Sequence, residues 1–340
     1  DGVKYGMLTK QFIENIWYSK HPFAIVLLPL SWLYSLIIFL RRLCYQSGLI
    51  AVNQIDVPVI IVGNISVGGT GKTPLVIWLA DYFKKKGYKP GIISRGYGGK
   101  LSGKSQQVRP DSNPDLVGDE PVLIAKRTNC PVAIAVQRRR AAEELIEYCD
   151  CDLILCDDGM QHYSLGRDIE IAVIDGQRRF GNGHCLPAGP LREPISRLGN
   201  VDFVVSKYIA GRHEYKMEYT YGDLVSLMNP DRTQPISSLN GQSVHAISGI
   251  GNPDRYYSYL RNNKLHIISH DFPDHHPFTK NDVIFDDGLA VVMTEKDAVK
   301  CINFATENHW YLPISARLPD SFTYRLEALM KDIIDGQKTT

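Results

Sequence analysis

Val59-Ile-Ile-Val-Gly-Asn-Ile-Ser-Val-Gly-Gly-Thr-Gly-Lys-Thr73 runs from an apolar, β-type segment through a glycine-rich loop into Gly-Lys-Thr, and a helical pattern begins at Pro74. Strand, loop and helix in that order make a phosphate loop. Backbone N–H groups at a helix N-terminus cradle phosphates, a lysine reaches the outer ones, and a hydroxyl ligates Mg²⁺. The nucleotide-binding set expected here is Ser66, Val67, Gly68, Gly69, Thr70, Gly71, Lys72 and Thr73. The general pattern asks for glycine where Ser66 stands; Gly68, Gly69 and Gly71 leave the loop supple enough to wrap a phosphate, so the stretch reads as a variant of it.

Outward from this loop the pattern is β-α-β. Strands are expected at 57–62, 90–94, 132–136, 152–156, 169–174 and 201–206, with helices at 73–86, 119–128 and 139–148 and a surface loop at 100–115. Such alternation predicts an α/β fold: a parallel sheet of the P-loop NTPase type with helices on both faces and ligands at the carboxyl ends of the strands. Beyond residue 215 two short alternating segments, 216–221 and 223–228, predict a two-stranded ribbon. A second, smaller α/β unit follows, with strands at 244–250, 265–269 and 289–293 and helices near 254–262 and 279–287. The expected division is 7–45, 46–215, 216–236 and 237–330, with the last helix packing back on the first domain.

The chain has 340 residues and a formal net charge of +1, which gives no electrostatic case for nucleic acid as a partner. Its seven cysteines are odd in number, lack a C-x-x-C pair and sit partly in apolar runs, as in Leu153-Ile-Leu-Cys156; they read as reduced thiols of a cytosolic protein. Residues 21–40 carry no formal charge and are almost wholly apolar, closed by Arg41 and Arg42. Twenty helical residues cover roughly the 30 Å of a bilayer core. Pro29, the Ser31/Ser35 pair and the interface-seeking Trp32 and Tyr34 argue against a span. An in-plane membrane helix with Lys20, Arg41 and Arg42 at the headgroups is favoured over a buried core helix. Residues 1–6 read as a leader ahead of a native start at Met7.

Asp152-Leu-Ile-Leu-Cys-Asp-Asp158 delivers two carboxylates, Asp157 and Asp158, at a strand end, a Walker-B-like site for Mg²⁺. His162 follows in Gly159-Met-Gln-His162. Gly118-Asp-Glu-Pro121 sets two acids at a helix start; they are either first-turn acids complementing the helix dipole, or one faces metal while the other takes a hydroxyl proton. Asp271-Phe-Pro-Asp-His-His-Pro277 is open to three readings: a metal site, a polar loop, or a histidine that orients an acid, the last preferred. Arginines suited to phosphate stand at Arg95, Arg138–Arg140, Arg178–Arg179 and Arg192.

Together these motifs resemble the tetraacyldisaccharide 4'-kinases of lipid A biosynthesis. The resemblance rests on Gly63–Pro74, Ser94-Arg-Gly-Tyr-Gly-Gly99, Gly118-Asp-Glu-Pro121 and Asp157-Asp-Gly-Met-Gln-His162. Leu186-Pro-Ala-Gly-Pro-Leu-Arg-Glu193, Phe272-Pro-Asp-His-His276 and Met293-Thr-Glu-Lys-Asp-Ala-Val-Lys300 complete it, and Ser66 is how this family's loop looks. It implies ATP and Mg²⁺ as cofactors and phosphate transfer to the 4'-hydroxyl of tetraacyldisaccharide 1-phosphate, giving lipid IVA. It also implies a two-domain fold with the site in the cleft, and attachment to the cytoplasmic face of the bacterial inner membrane. By position, Lys72 would bind phosphates, and Thr73 and Glu120 would hold Mg²⁺ with Asp157 and Asp158. Asp119 would be the base, assisted by His275; Arg95, His162 and Arg192 would contact substrate or phosphate. The competing expectations are a membrane-bound P-loop ATPase acting as a switch or transport partner, and a soluble sugar or cofactor kinase.

Overall fold

The computed structural model describes residues 12–19, 21–96 and 105–337. Lys20, residues 97–104, which include the end of the Arg95-Gly-Tyr-Gly-Gly99 motif and the start of the expected 100–115 loop, and the leader with Met7 lie outside them. The chain forms two compact units, residues 1–94, 137–218 and 318–340 in one and 95–136 with 219–317 in the other.

The first unit is built on parallel strands in the order Phe203–Lys207, Ile169–Asp175, Val59–Gly63, Leu153–Asp157 and Pro90–Ser94. Every residue of the central three is buried, as unbroken Val/Ile/Leu runs require when helices cover both faces. Helix Lys72–Lys85 follows the first strand directly, burying Leu75, Val76, Leu79, Ala80 and Phe83. Helix Asp320–Gln337 adds Phe322, whose ring lies 4.8 Å from that of Phe203. Register brings Val62 beside Asp157, so the phosphate loop and the strand-end carboxylates leave the sheet at the same edge.

Helix Phe23–Gln46 is 24 residues long, about 36 Å at 1.5 Å per residue, and buries only Ala24 and Ser31. Ile25, Val26, Trp32 and Phe39 are each at least 60% exposed. Among the described residues it is the one helix long and apolar enough to cross a membrane. Its polar edge is what docks: Ser31 Oγ donates to the Cys185 carbonyl at 2.7 Å, and Tyr34 Oη to the Arg192 carbonyl at 3.0 Å. A soluble helix of this composition would bury its apolar side; here the apolar side is the exposed one.

The second unit carries a six-stranded sheet in the order Thr233–Gln234, Leu224–Ser226, His309–Leu312, Ala290–Thr294, Ser243–Ser248 and His266–Asp271. Val244, Ala246, Leu260, Val292 and Trp310 fill its core. Helix Asp119–Thr128 belongs to this unit, tied to helix Glu295–Cys301 by Arg127, whose Nη1 meets both Glu295 oxygens at 2.6 and 2.8 Å. A single cut near residue 215 therefore separates the chain differently from its contacts, because 95–136 is compact with segments more than a hundred residues downstream.

Local differences from the sequence reading have simple causes. The two segments after residue 214 do not pair with each other: Tyr215–Tyr221 runs parallel to Phe203–Lys207, and Leu224–Ser226 joins the six-stranded sheet. The helix expected over 279–287 is a single turn, Lys280–Val283, closed by a Thr279/Asp282 capping box. Part of the expected 100–115 loop is strand Gln106–Val108, antiparallel to Val132–Ile134. No disulfide joins the seven cysteines.

Candidate active site

In the first unit Gly71 caps the helix with φ of +97°, and Gly68 holds +112°; both lie in the left-handed region that a side chain disfavours. Ser66 is not among the positive-φ residues. It bridges Leu191 in antiparallel fashion while Val67 N donates to the Pro190 carbonyl at 2.8 Å. The glycine of the general pattern is unnecessary at a residue held in extended pairing, which accounts for the serine. Asn64 braces the loop from within, its Nδ2 donating to Thr70 Oγ1 at 3.2 Å.

Lys72 Nζ lies 3.4 Å from Asp158, and Arg192 Nη1 lies 3.1 Å from the same carboxylate. Burial alone would push the Asp158 carboxyl up, but these two cations outweigh it and hold it below the usual carboxylate range. Asp158 is thus ionised, with its φ at +50°. Asp157 is buried at the end of its strand, and Thr73 is buried in the first turn of the helix. His162 has Nε2 3.1 Å from Ser164 Oγ. With Asn53, Gln137 and Arg138–Arg140 these two line a cavity of about 440 Å³.

The second unit assembles a different cluster. The loop after strand His266–Asp271 presents His275, and helix Glu295–Cys301, which starts directly from strand Ala290–Thr294, presents Lys296 and Lys300. Both strands are parallel to Ser243–Ser248, so both segments emerge at the carboxyl edge of the sheet. They converge on the start of helix Asp119–Thr128. His275 Nδ1 is 3.0 and 3.1 Å from the two Asp119 oxygens; Lys300 Nζ is 3.7 Å from Asp119. Lys296 Nζ reaches Glu120 at 2.9 Å and Asp274 at 3.1 Å.

Asp119 is 4% exposed. Burial pushes its carboxyl up; the His275 hydrogen bond and the charges of Lys296, His275 and Lys300 prevail and leave it at about 2. The same bond raises the His275 imidazole above 6.5 against burial and Lys296. Burial would lower Lys296, but Glu120, Asp119 and Asp274 raise it. His275 itself holds φ of +61°, a conformation uncommon for a residue with a Cβ.

The structure thus brings together Lys72, Asp158 and Arg192 in one cluster and Asp119, Glu120 and His275 in another. Arg95 is exposed. Arg178 and Arg179, suited to phosphate by position, are occupied: Arg179 is bidentate on Glu214 at 2.7 and 2.8 Å, and Arg178 pairs with Glu14. Lys296 and Lys300 are the cluster members that sequence reasoning left without a role. Their signal was present in their spacing, four residues apart on one face of a helix. From the Asp271–Pro277 segment it is His275 that meets an acid, Asp119.

A family model described as LpxK, tetraacyldisaccharide-1-P 4'-kinase, matches residues 23–331. The tetraacyldisaccharide 4'-kinase of Nitrosococcus oceani is 49% identical over 94% of each chain. That of Methylobacillus flagellatus is 48% identical over 98% of this chain and 99% of its own. The crystal structure of LpxK from Aquifex aeolicus in complex with ATP superposes with a TM-score of 0.78 at 29% identity, covering 91% of this chain and 99% of that one.

Proposed function

Because this chain belongs to the tetraacyldisaccharide-1-P 4'-kinase family, we propose that it moves the γ-phosphate of ATP to the 4'-hydroxyl of tetraacyldisaccharide 1-phosphate, giving lipid IVA. The observation that carries the reading at the residue level is the Asp119–His275 pair. A hydrolytic switch has no alcohol to deprotonate, whereas transfer to a sugar hydroxyl needs a fixed proton acceptor. The pair takes the proton from the 4'-oxygen as it attacks phosphorus: Asp119, buried, receives it, and His275 Nδ1, 3.0 and 3.1 Å from the two carboxylate oxygens and unprotonated in the neutral imidazole, takes it on.

In the phosphate-loop unit, Ser66–Gly71 wrap the ATP phosphates with backbone N–H groups, and Lys72 and Arg192 lie where they neutralise charge on the transferring group. Thr73, Asp157 and Asp158 are the oxygen donors that fit Mg²⁺: one hydroxyl in the first helical turn and two strand-end carboxylates, Asp158 held ionised by its neighbours. Bound there, Mg²⁺ would supply charge neutralisation on the β- and γ-oxygens. Glu120 as a further ligand would exchange the Lys296 ammonium for the cation. Arg95 and His162 are assigned to substrate contact.

The acceptor carries four acyl chains, and each buried CH₂ is worth about 0.8 kcal/mol, so it stays in the bilayer and the enzyme must come to it. The exposed apolar side of helix Phe23–Gln46 supports attachment in the plane of the membrane. Its cytoplasmic face is assigned because ATP is there.

The test is transfer of ³²P from γ-labelled ATP to tetraacyldisaccharide 1-phosphate in detergent micelles, with the full chain and with Asp119→Ala. Labelled lipid that disappears in the variant is the expected result. ATP consumed without labelled lipid would overturn the acceptor assignment in favour of a switch or transport ATPase.

A further inference from the structure

Glu193 is 1% exposed, adjoins Arg192, accepts from two side chains of one turn, Gln161 Nε2 at 2.8 Å and Tyr163 Oη at 2.6 Å, and forms an ion pair with Arg197, whose Nε lies 3.1 Å away. Arg197, equally buried, turns its Nη2 onto Glu170 at 2.6 Å, and Glu170 accepts from Arg167 Nη1 at 2.8 Å. Arg167 in turn donates to the carbonyls of Met160 and His162 at 3.1 and 2.7 Å, so the turn that follows Asp158 is gripped from both sides. Three charged side chains this deep in the protein, Glu193, Arg197 and Glu170, are costly to desolvate and are seldom present for stability alone.

The orientation of Gln161 shows what they set. Its Nε2 faces two acceptors, Glu193 Oε1 and the Asn64 carbonyl at 2.9 Å, so that end of the amide must be the NH₂ group. The amide oxygen is then left facing Arg192 Nη1 at 3.5 Å, the same nitrogen that meets Asp158. Meanwhile the backbone N–H groups of Arg192 and Glu193 both donate to the Ile65 carbonyl, which fixes this segment to the start of the phosphate loop. We infer that Glu193, backed by Arg197 and Glu170, is a positioning residue: it fixes which way the Gln161 amide points, and through it the aim of the Arg192 guanidinium at Asp158 and the transferring phosphate. The inference rests on the kinase reading above for the last step, while the orientation it assigns to Arg192 stands on the contacts themselves.

The experiment is a double-mutant cycle on the full chain in micelles, reading kcat and KM for ATP in lipid phosphorylation for Glu193→Gln, Arg192→Ala and the pair. A glutamine of the same shape can turn an NH₂ toward Gln161 and lets its amide reverse. Glu193→Gln should lower kcat about tenfold or more with KM for ATP changed less than about threefold, and should cost less than about twofold once Arg192 is alanine. An equal loss in both backgrounds would overturn the inference and leave Glu193 a purely structural group. Should Glu193→Gln fail to fold, Gln161→Leu keeps the Glu193–Arg197 pair and must show the same dependence on Arg192. Absence of labelled lipid from the wild type would instead sink the kinase reading, a separate outcome.

Discussion

Replacing His275 with glutamine tests how the acid pair works as a base. With the imidazole protonated, Asp119 sits at about 2, roughly five units below neutral pH, and accepts a proton poorly. With the imidazole neutral, a proton arriving at the pair is bound as the imidazolium–carboxylate state, whose pKa is that of His275, raised above 6.5 by Asp119 against burial and Lys296, with Asp274 also facing it. The competent base is therefore neutral His275 beside ionised Asp119, and these are properties of the pair. Log kcat of the wild type should rise with unit slope, tenfold per pH unit, and level off only above pH about 6.5. Glutamine keeps a hydrogen-bond donor but cannot titrate, so the limb should vanish and kcat at pH 8.5 should fall by about 10²-fold. The assay is labelled-lipid formation at saturating ATP and lipid between pH 5.5 and 9. Titration of ATP is common to both proteins and cancels in their ratio. A wild-type profile flat from pH 6 to 8, or a variant that keeps the same limb, would refute the reasoning. Stability moves in the opposite sense. The His275 contribution is complete below pH about 6.5 and is lost as pH rises through its folded pKa. That of Asp119 is present above about pH 4 and is lost as pH falls toward 2.

Three further outcomes are expected. Asp119→Ala should cut transfer by about 10²–10⁴-fold while ATP affinity, measured by calorimetric titration, stays within a few-fold. Arg127→Met leaves Glu295 buried without its cation; urea unfolding should show a loss of roughly 2–4 kcal/mol at pH 8. That loss should shrink as pH falls, because burial already raises the Glu295 carboxyl and the arginine is what opposes it. Leu33→Glu with Ile37→Glu puts two charges on the exposed apolar side of the first helix; co-sedimentation with anionic vesicles should drop at least about tenfold, with ATP affinity unaltered.

The phosphate loop was legible because its logic is local: strand, glycines and Gly-Lys-Thr fall within fifteen consecutive residues, and hydrophobic runs betrayed each buried parallel strand. Asp157 and Asp158 were legible for the same reason, as carboxylates at the end of an apolar run. What sequence could not show was which distant segments share a unit. Residues 119–128 pack on 295–301, and that pairing depends on Arg127 finding Glu295 across 168 positions. The lysines that face Asp119 and Glu120 were hidden by the same distance. So were Glu170 and Arg197, which look like ordinary surface charges until burial shows otherwise.

The bonds from Ser31 and Tyr34 to the carbonyls of Cys185 and Arg192 give the apolar helix no slack. It is a ledge rather than a tether, and the arginine beside the phosphate loop rides at a set height of about one helix diameter, 10–12 Å, above whatever that ledge rests on. On the proposed membrane attachment turnover takes place at an interface, and rate should follow the mole fraction of lipid substrate in the micelle and not its bulk concentration. Diluting the surface with inert detergent would slow the enzyme even when every substrate molecule remains in the tube.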